Sequence, residues 1–449
     1  MANREQVLAP FRDNSSFIQT RTEADIQRHR KGWAQLEIVD KAGNPVPDAV
    51  VEVNLSRHDF QFGCNLFLLD EIKDPVKNQI YKDRYAQCFN QATLPFYWDG
   101  LEPEEGKLRF TKDSPPLYRR PVPDLCVEWC RENGITPKAH CLNYHNETPA
   151  WVPQESGPYW KALERRYSQL AERYADQIHG WEVTNETIRF HSHKNFSRGT
   201  TPFYDRDFVE RSFCMAEKYF PHNELIINEA HFAVWGENFK EDRSNYYLQI
   251  ERALLKGARI DTIGLQFHMF FPRERELEET KAYYDPYTIF GLMDRYADFG
   301  KPLQITEITV PAYSEDPEDE AIQAELTTWL YKMWFSHPNM ETITYWNLMD
   351  GFAWSEDNIP GNMTSGENAY YGGLLRYDGT PKPVYHALYD LIHKQWHTQE
   401  KLTTDSCGSG AFHGFYGTYD VTVHHEDRTS TCSVQFTKEK QAPLRIVLE

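Results

Sequence analysis

Two glutamates close apolar runs in this chain. Glu186 ends WEVTNE (181–186), directly after Asn185, and Glu307 sits in ITEI (305–308). Charged side chains are almost never fully buried unless they are paired, and desolvating a lone carboxylate costs several kcal/mol or shifts its pKa. Such a residue either emerges into solvent or is held where its charge acts. Other polar groups end similar runs. His140 is followed by Asn143, Tyr144, His145, Asn146 and Glu147; Asn228 and Glu229 close ELIINE, with His231 just beyond. Gln266 and His268 lie in GLQFH, Trp98 follows QATLPFY, and Trp346 and Asn347 close TITYWN ahead of Asp350 and Trp354. Two opposed carboxylates can cleave a glycosidic bond: one protonates the leaving oxygen, while the other attacks the anomeric carbon or activates water. Amides and imidazoles hold sugar hydroxyls, and indole rings make a floor. A single glutamate at a strand end is more often solvated or ion-paired. Two of them, with an asparagine before one and Gln-x-His on a neighbouring run, make the catalytic reading the stronger one. For His140 and His145 the alternative is packing at the rim. Zinc is disfavoured, because their five-residue spacing is not that of HExxH and no cysteine pattern accompanies it. The chemistry calls for no metal and no cofactor.

The elements that position these groups follow from periodicity. Short apolar runs recur at 62–67, 91–97, 137–142, 180–185, 224–228, 261–267, 302–306 and 342–347. Between them lie stretches such as YWKALERRYSQLAERYADQ and EAIQAELTTWLYKMWF, with apolar residues at i, i+3, i+4 and i+7. Eight strands alternating with helices predict an α/β fold, a (β/α)₈ TIM barrel over 60–395. Working residues of such barrels sit at the C-terminal strand ends, and strands four and seven lie across the barrel from each other. That places Glu186 opposite Glu307. The flanks read as strands: 34–56 alternates with period two, and GFYGTYDVTVHH, STCSVQFTK and LRIVLE follow the barrel. Residues 1–59 are read as an N-terminal β segment and 396–449 as a C-terminal one. Neither has strands enough for a core, so together they are expected to form one small accessory β-sandwich that braces the barrel.

Lys and Arg total 48 against 67 Asp and Glu, a net charge of −19. This argues against nucleic acid and anionic membranes as partners and favours an uncharged or weakly basic substrate. The aromatic complement, 12 Trp, 26 Tyr and 26 Phe, fits core packing first and stacking on pyranose faces second. The eight cysteines lack metal-ligand spacing. No secretory signal or run of eighteen apolar residues is visible, which predicts a cytoplasmic protein with reduced thiols.

These motifs together resemble glycoside hydrolase family 10, the xylanase-like retaining β-glycosidases on a (β/α)₈ barrel. WEVTNE (181–186), ITEI (305–308), GLQFH (264–268), HCLNYHNETPAW (140–151), EPEEGKLRF (102–110) and YWNLMDGFAW…LLRYDGTPKPVYHAL (345–388) carry the resemblance, over about residues 60–395. It implies that Glu186 is the acid/base and Glu307 the nucleophile. It further implies that His268 orients Glu307 beside Gln266, that Asn185 holds the 2-hydroxyl of the reacting sugar, and that Trp346 and Trp354 form a sugar platform. His140, Tyr144, His145, Glu147, Asn228, His231 and Trp98 are expected to line the substrate site. Double displacement requires a raised pKa on Glu186 in the free protein. The chain departs from the family after strand two. TLPFYWDG (93–100) lacks the usual Glu-Asn pair and Lys, which bind the sugar one step beyond the cleaved residue on the glycone side. Tyr144 stands for a usual Trp, Glu147 for a Gln and His231 for an Asn. The expectation is an intact catalytic pair with a rebuilt distal glycone subsite. The substrate would be a short oligosaccharide or a β-glycoside with a non-sugar leaving group. Three rivals stay open: a terminal-acting or disaccharide-releasing β-glycosidase, a non-catalytic carbohydrate-binding barrel, and a metal-dependent hydrolase.

Overall fold

The structure is a computed structural model and describes residues 4–188, 201–439 and 442–449. Two strands, β1 (Lys31–Val39) and β2 (Val50–His58), precede the barrel. The barrel is β3 (Gln61–Asn65), β4 (Gln91–Pro95), β5 (Thr136–Asn143), β6 (Gly180–Asn185), β7 (Glu224–Glu229), β8 (Thr262–His268), β9 (Leu303–Thr309) and β10 (Met340–Tyr345). After it come β11 (Gln399–Thr403), β12 (Ser409–Phe415), β13 (Gly417–His425), β14 (Arg428–Phe436) and β15 (Leu444–Val447). The barrel closes in the order β10-β3-β4-β5-β6-β7-β8-β9, all parallel, so every strand delivers its C-terminal end to the same mouth. Each of the eight apolar runs read from the sequence falls on one of these strands.

Several of the intervening helices start on an Asp-Pro pair. Asp74, Asp285 and Asp316 precede Pro75, Pro286 and Pro317, and their carboxylates accept from the backbone N–H groups of Val76, Thr288 and Glu318. Proline fits the first helical turn because that N–H has no helical partner, and the aspartate satisfies a nearby orphan donor. Among the described residues no helix is long and apolar enough to cross a membrane, and none of the cysteines is paired.

The two chain ends build the accessory β-sandwich together. One sheet has the order β12-β1-β15 and the other β11-β2-β13-β14. Leu36, Ile38, Val51, Val53, Leu55, Phe412, Tyr419, Val421 and Val423 are buried in the shared core, with the Phe412 and Tyr419 rings 5.0 Å apart. The segment 1–59 is not all β, however. Arg4–Leu8, Ala9–Asp13 and Ser15–His29 are helical and lie on the barrel. Ile18, Thr22 and Ile26 are buried on one stripe, Phe17 stacks on Tyr287 at 4.8 Å, and Arg4 pairs with Glu276 at 2.8 Å. That stripe is only one residue wide, so most of the helix is polar and solvated.

Arg30, at the end of this helical arm, ties sandwich and barrel together. Its guanidinium donates to the carbonyls of Phe335 and Met340, both at 2.6 Å, and to that of His337. These groups lie at the C-terminus of helix Pro317–Ser336 and just beyond it, where carbonyls lack helical partners. Phe335 itself is fully buried, stacked on Trp396 at 4.1 Å and packed against Phe60, Phe62 and Phe415. Phe335→Ala should therefore destabilise the protein by about 3–5 kcal/mol. Urea titration followed by tryptophan fluorescence measures this; a midpoint within error of wild type would mean that Phe335 does not join the two parts.

Candidate active site

Glu186 follows directly on β6 and turns sharply. Its backbone adopts φ 51°, the left-handed region that costs a non-glycine residue free energy. The turn is pinned from both sides. Glu186 N donates to Asn228 O at 3.2 Å, and the buried Glu229 carboxylate accepts from Ile188 N at 2.8 Å and Thr187 Oγ1 at 3.0 Å. The half-buried side chain then meets Tyr144 Oη, which donates to Glu186 Oε2 at 2.7 Å, and Gln266 Nε2, which donates to Oε1 at 3.2 Å.

Glu307 comes from the middle of β9 and is 4% exposed. Three donors converge on it: Asn228 Nδ2 and Gln266 Nε2 on Oε1, both at 3.0 Å, and His268 Nε2 on Oε2, at 3.0 Å. Burial pushes the His268 imidazole down to about 4 and keeps it neutral. With Nε2 donating to Glu307, Nδ1 accepts from Thr309 Oγ1 at 2.9 Å. Asn185 accepts from Asn228 and Gln266 through Oδ1, at 2.8 and 3.2 Å. Gly264 makes this convergence possible, since a Cβ there would stand 2.8 Å from Asn228 Oδ1 and from Ile227 O. A register shift between β8 and β9 at Leu265/Gln266 brings Gln266 opposite Glu307, the kind of bulge that re-aims a side chain at a barrel rim.

Beneath the pair lies a buried ionic chain. Lys138 Nζ pairs with Glu182 Oε1 at 2.6 Å, Glu182 Oε2 meets His140 Nδ1, and His140 Nδ1 stands 4.0 Å from Glu307 Oε1. Burial works against the Glu182 charge, but Lys138 and His140 outweigh it and bring the carboxyl down to about 2. Burial likewise opposes the His140 charge, and Glu182 outweighs it, so that the imidazole sits above its usual value. His140, Glu182 and Glu307 are close enough to hold an ion. Their atoms already engage one another, Lys138 and the three donors on Glu307, so a cation would have to displace these contacts.

Burial pushes the Glu307 carboxyl up to about 8; Glu182 and Glu186 add to the rise, while His140 and the Asn228 amide oppose it. The sign for stability follows. The folded protein keeps a proton that the unfolded chain releases above the usual 4.5, so this carboxyl makes stability fall as pH rises from about 4.5 to 8. Glu307→Gln removes the charge. Its melting temperature, measured by calorimetry, should match wild type near pH 4 and exceed it increasingly up to pH 8. A difference independent of pH would overturn this account.

Trp346 is buried beside the pair, 5.4 Å from the His140 ring and 6.0 Å from that of His268, and packs with Phe67 and Tyr97. Tyr97 Oη bonds His140 Nε2 at 3.0 Å. Trp354 is 48% exposed at the rim. The sequence reading groups several residues with the substrate that the structure uses otherwise. Asn228 is wholly buried and spends its amide on Glu307 and Asn185. Trp98 is 3% exposed and packs on Trp151 and Tyr159 as core. His145 is buried with its ring stacked 3.7 Å from Phe203. Glu147 accepts from Arg120 at 3.4 Å, its carboxyl raised to about 7 by burial and by Asp99. His231 is half-buried, its ring 6.4 Å from His268 and near Phe271 and Tyr283. The sequence reading passed over Tyr97, Lys138 and Glu182. The signal for the last two was a charge in the middle of each of two neighbouring apolar runs.

The family profile described as glycosyl hydrolase family 10 matches residues 66–391. The chain belongs to glycosyl hydrolase family 10. Its (β/α)₈ barrel is thus the barrel of that family, as the resemblance implied. The "Endo-1,4-beta-xylanase" of Geobacillus stearothermophilus is 25% identical over 323 residues, covering 66% of this chain and 88% of the relative. The "Anti-sigma-I factor RsgI6" of Acetivibrio thermocellus is 26% identical over 409 residues, covering 89% of this chain and 45% of the relative. The chain spans less than half the length of that protein and of the "Endo-1,4-beta-xylanase B" of Cellvibrio japonicus, of which it covers 41%. Xylanase 10B of Thermotoga petrophila, solved with xylobiose, shares the fold, with a TM-score of 0.58 at 20% identity over 75% of this chain and 95% of the other.

Proposed function

We propose that this chain hydrolyses β-linked glycosides of the xylan type by retaining double displacement, with Glu307 as nucleophile and Glu186 as acid/base. The observation that carries the reading is Gln266. One amide nitrogen reaches Glu307 at 3.0 Å and Glu186 at 3.2 Å. The two carboxylate oxygens can be no farther apart than those bonds laid end to end. That favours the separation of roughly 5–5.5 Å typical of retaining pairs over the roughly 6.5–9.5 Å that leaves room for water in inverting ones.

In the first step a Glu307 oxygen bonds to the anomeric carbon, the bond to the leaving oxygen breaks, and Glu186 gives that oxygen its proton. In the second, Glu186 takes a proton from water, the water oxygen bonds to the anomeric carbon, and Glu307 departs as the carboxylate. The proton that burial favours on Glu307 must sit on Glu186 when sugar is bound. A sugar hydroxyl bonded to Glu307 and the electron-poor anomeric carbon both favour the Glu307 anion. Asn185 is placed to meet the 2-hydroxyl, and Trp346 to floor the ring.

The distal glycone subsite departs from the xylanase pattern in TLPFYWDG (93–100), where Tyr97 turns its hydroxyl to His140 and Trp98 enters the core. This supports release of short products from a chain end, or action on a glycoside with a non-sugar leaving group. Product analysis on xylohexaose, beside aryl β-mono- and β-disaccharides, tests it. Internal cuts in xylohexaose would mean an ordinary endo-xylanase. An inert xylohexaose with release from one aryl glycoside would mean a refitted glycone pocket. Binding without turnover on the whole panel would sink the hydrolase reading and favour a carbohydrate-binding barrel.

A further inference from the structure

The segment joining β4 to β5 brings two consecutive arginines to the aromatic floor. Arg119 is 5% exposed, and its guanidinium lies 5.7 Å from the Phe67 ring centroid. Arg120 lies 6.0 Å from the same ring and 4.2 Å from that of Tyr97. Phe67 and Tyr97 are the rings that pack with Trp346, so both cations border the floor of the catalytic pair. The two arginines differ in their partners. Arg120 is paired with Glu147 at 3.4 Å. Arg119 donates through Nη1 to the carbonyl of Phe352, while its buried Nε has no hydrogen-bond partner among the described residues. Among the described residues Arg119 has no ion-pair partner; Glu367, the carboxylate whose charge acts on it most, is engaged with Asn347 at 3.0 Å. A guanidinium is always charged and matches the planar fork of a carboxylate. Leaving one buried with open donors is costly unless something else meets them. Arg119 is also held in left-handed backbone, φ 59°, a conformation that persists only where the surroundings enforce it.

We propose that Arg119, with Arg120 beside it, receives the carboxylate of a hexuronic acid residue on the glycone side of the bond that is cut. The substrate class is then an acidic β-glycan or glycoside, which narrows the hydrolase reading and rests on it. The net charge of −19 slows the encounter with such a substrate by long-range repulsion. It does not cancel a local contact with two guanidinium groups that are largely shielded from salt.

Calorimetric titration of the Glu307→Ala protein tests the inference without turnover. Xylotriose is compared with xylotriose carrying a 4-O-methylglucuronosyl branch on its non-reducing end, and p-nitrophenyl β-glucoside with p-nitrophenyl β-glucuronide. The carboxylate-bearing member of one pair should bind about 10- to 100-fold more tightly, the range of one or two charge-assisted hydrogen bonds. The branched pair responding would place the carboxylate on a substituent; the aryl pair responding would place it on the reacting ring. Arg119→Met in the same background should erase the preference and Arg119→Lys restore part of it. Should Arg119→Met fail to fold, Arg120→Met should reduce the preference. Equal affinities within both pairs in the arginine-intact protein overturn the proposal, as does a preference that survives in folded Arg119→Met, which would leave Arg119 as a clamp on Phe352. Wild-type turnover of all four compounds is scored separately. Cleavage with equal affinities keeps the hydrolase and rejects the arginine site; a carboxylate preference with no cleavage does the reverse.

Discussion

Glu307→Ala is expected to lower kcat on every substrate that the wild type turns over, by on the order of 10⁴-fold or more, while the protein still binds sugar. The substitution removes the atom that bonds to the anomeric carbon, and no neighbour can replace it. Asn228, Gln266 and His268 point donors at the vacated place. Glu182 is tied to Lys138 and His140 deeper in the barrel. What remains is the floor of Trp346, Tyr97 and Phe67, which binds and orients but cannot attack. The residual rate should be that of a preorganised site without its nucleophile. Azide is small enough to enter the space left by the carboxylate. With an activated aryl β-glycoside, it should restore turnover and yield the α-glycosyl azide, because one displacement inverts where two retain. Glu307→Gln is the control for the three donors, since it keeps an acceptor oxygen for them and should be as inactive as the alanine variant. Measured by steady-state rates and product NMR, full activity in Glu307→Ala would sink the scheme. Rescue that gave the β-azide would assign the nucleophile to another residue.

The barrel was legible because its strands are short, apolar and spaced by long amphipathic stretches, a pattern few other folds produce. The two carboxylates were legible for a related reason: a charge inside or at the end of a buried run needs an explanation. What the sequence hid depended on what packs across from a residue. Trp98 and His145 looked like ligand groups from their place after strand ends. Trp151, Tyr159 and Phe203, distant in sequence or on other elements, turn them into core. Asn228 has the chemistry of a sugar contact. Its role on Glu307 comes from the space beside Gly264 and from strand register, which residue types do not reveal. The helix Ser15–His29 escaped notice because its buried stripe is only Ile18, Thr22 and Ile26, too narrow to stand out among polar neighbours. Arg119 was not singled out from the sequence. Its interest lies in its burial and in an Nε without a hydrogen-bond partner among the described residues, both properties of the folded chain.

Glu186→Ala should divide substrates by leaving group, and this separates an acid/base from a residue that merely holds the site together. For unactivated xylo-oligosaccharides the departing oxygen is strongly basic, so losing the proton donor should cost about 10²- to 10⁴-fold in kcat/KM. For a dinitrophenyl β-glycoside the leaving group departs unaided, and the first step should keep most of its rate. The second step still lacks a base, so glycosyl-protein should accumulate and appear as a burst of dinitrophenolate followed by slow turnover. Azide, which needs no deprotonation, should lift that slow phase and give the β-glycosyl azide, the retained product. The local structure favours a clean result. The turn at Glu186 is held by Asn228 O and by the Glu229 contacts to Thr187 and Ile188, none of which uses the Glu186 side chain. Among the described residues only Tyr144 and Gln266 lose an acceptor, and Gln266 keeps its bond to Glu307. A structural role would instead slow all substrates alike, whatever the leaving group, and azide would rescue none of them. Stopped-flow kinetics on a series of aryl leaving groups reads the difference as a slope. A steep dependence in Glu186→Ala where wild type is flat assigns the proton to Glu186, and parallel slopes would take it away.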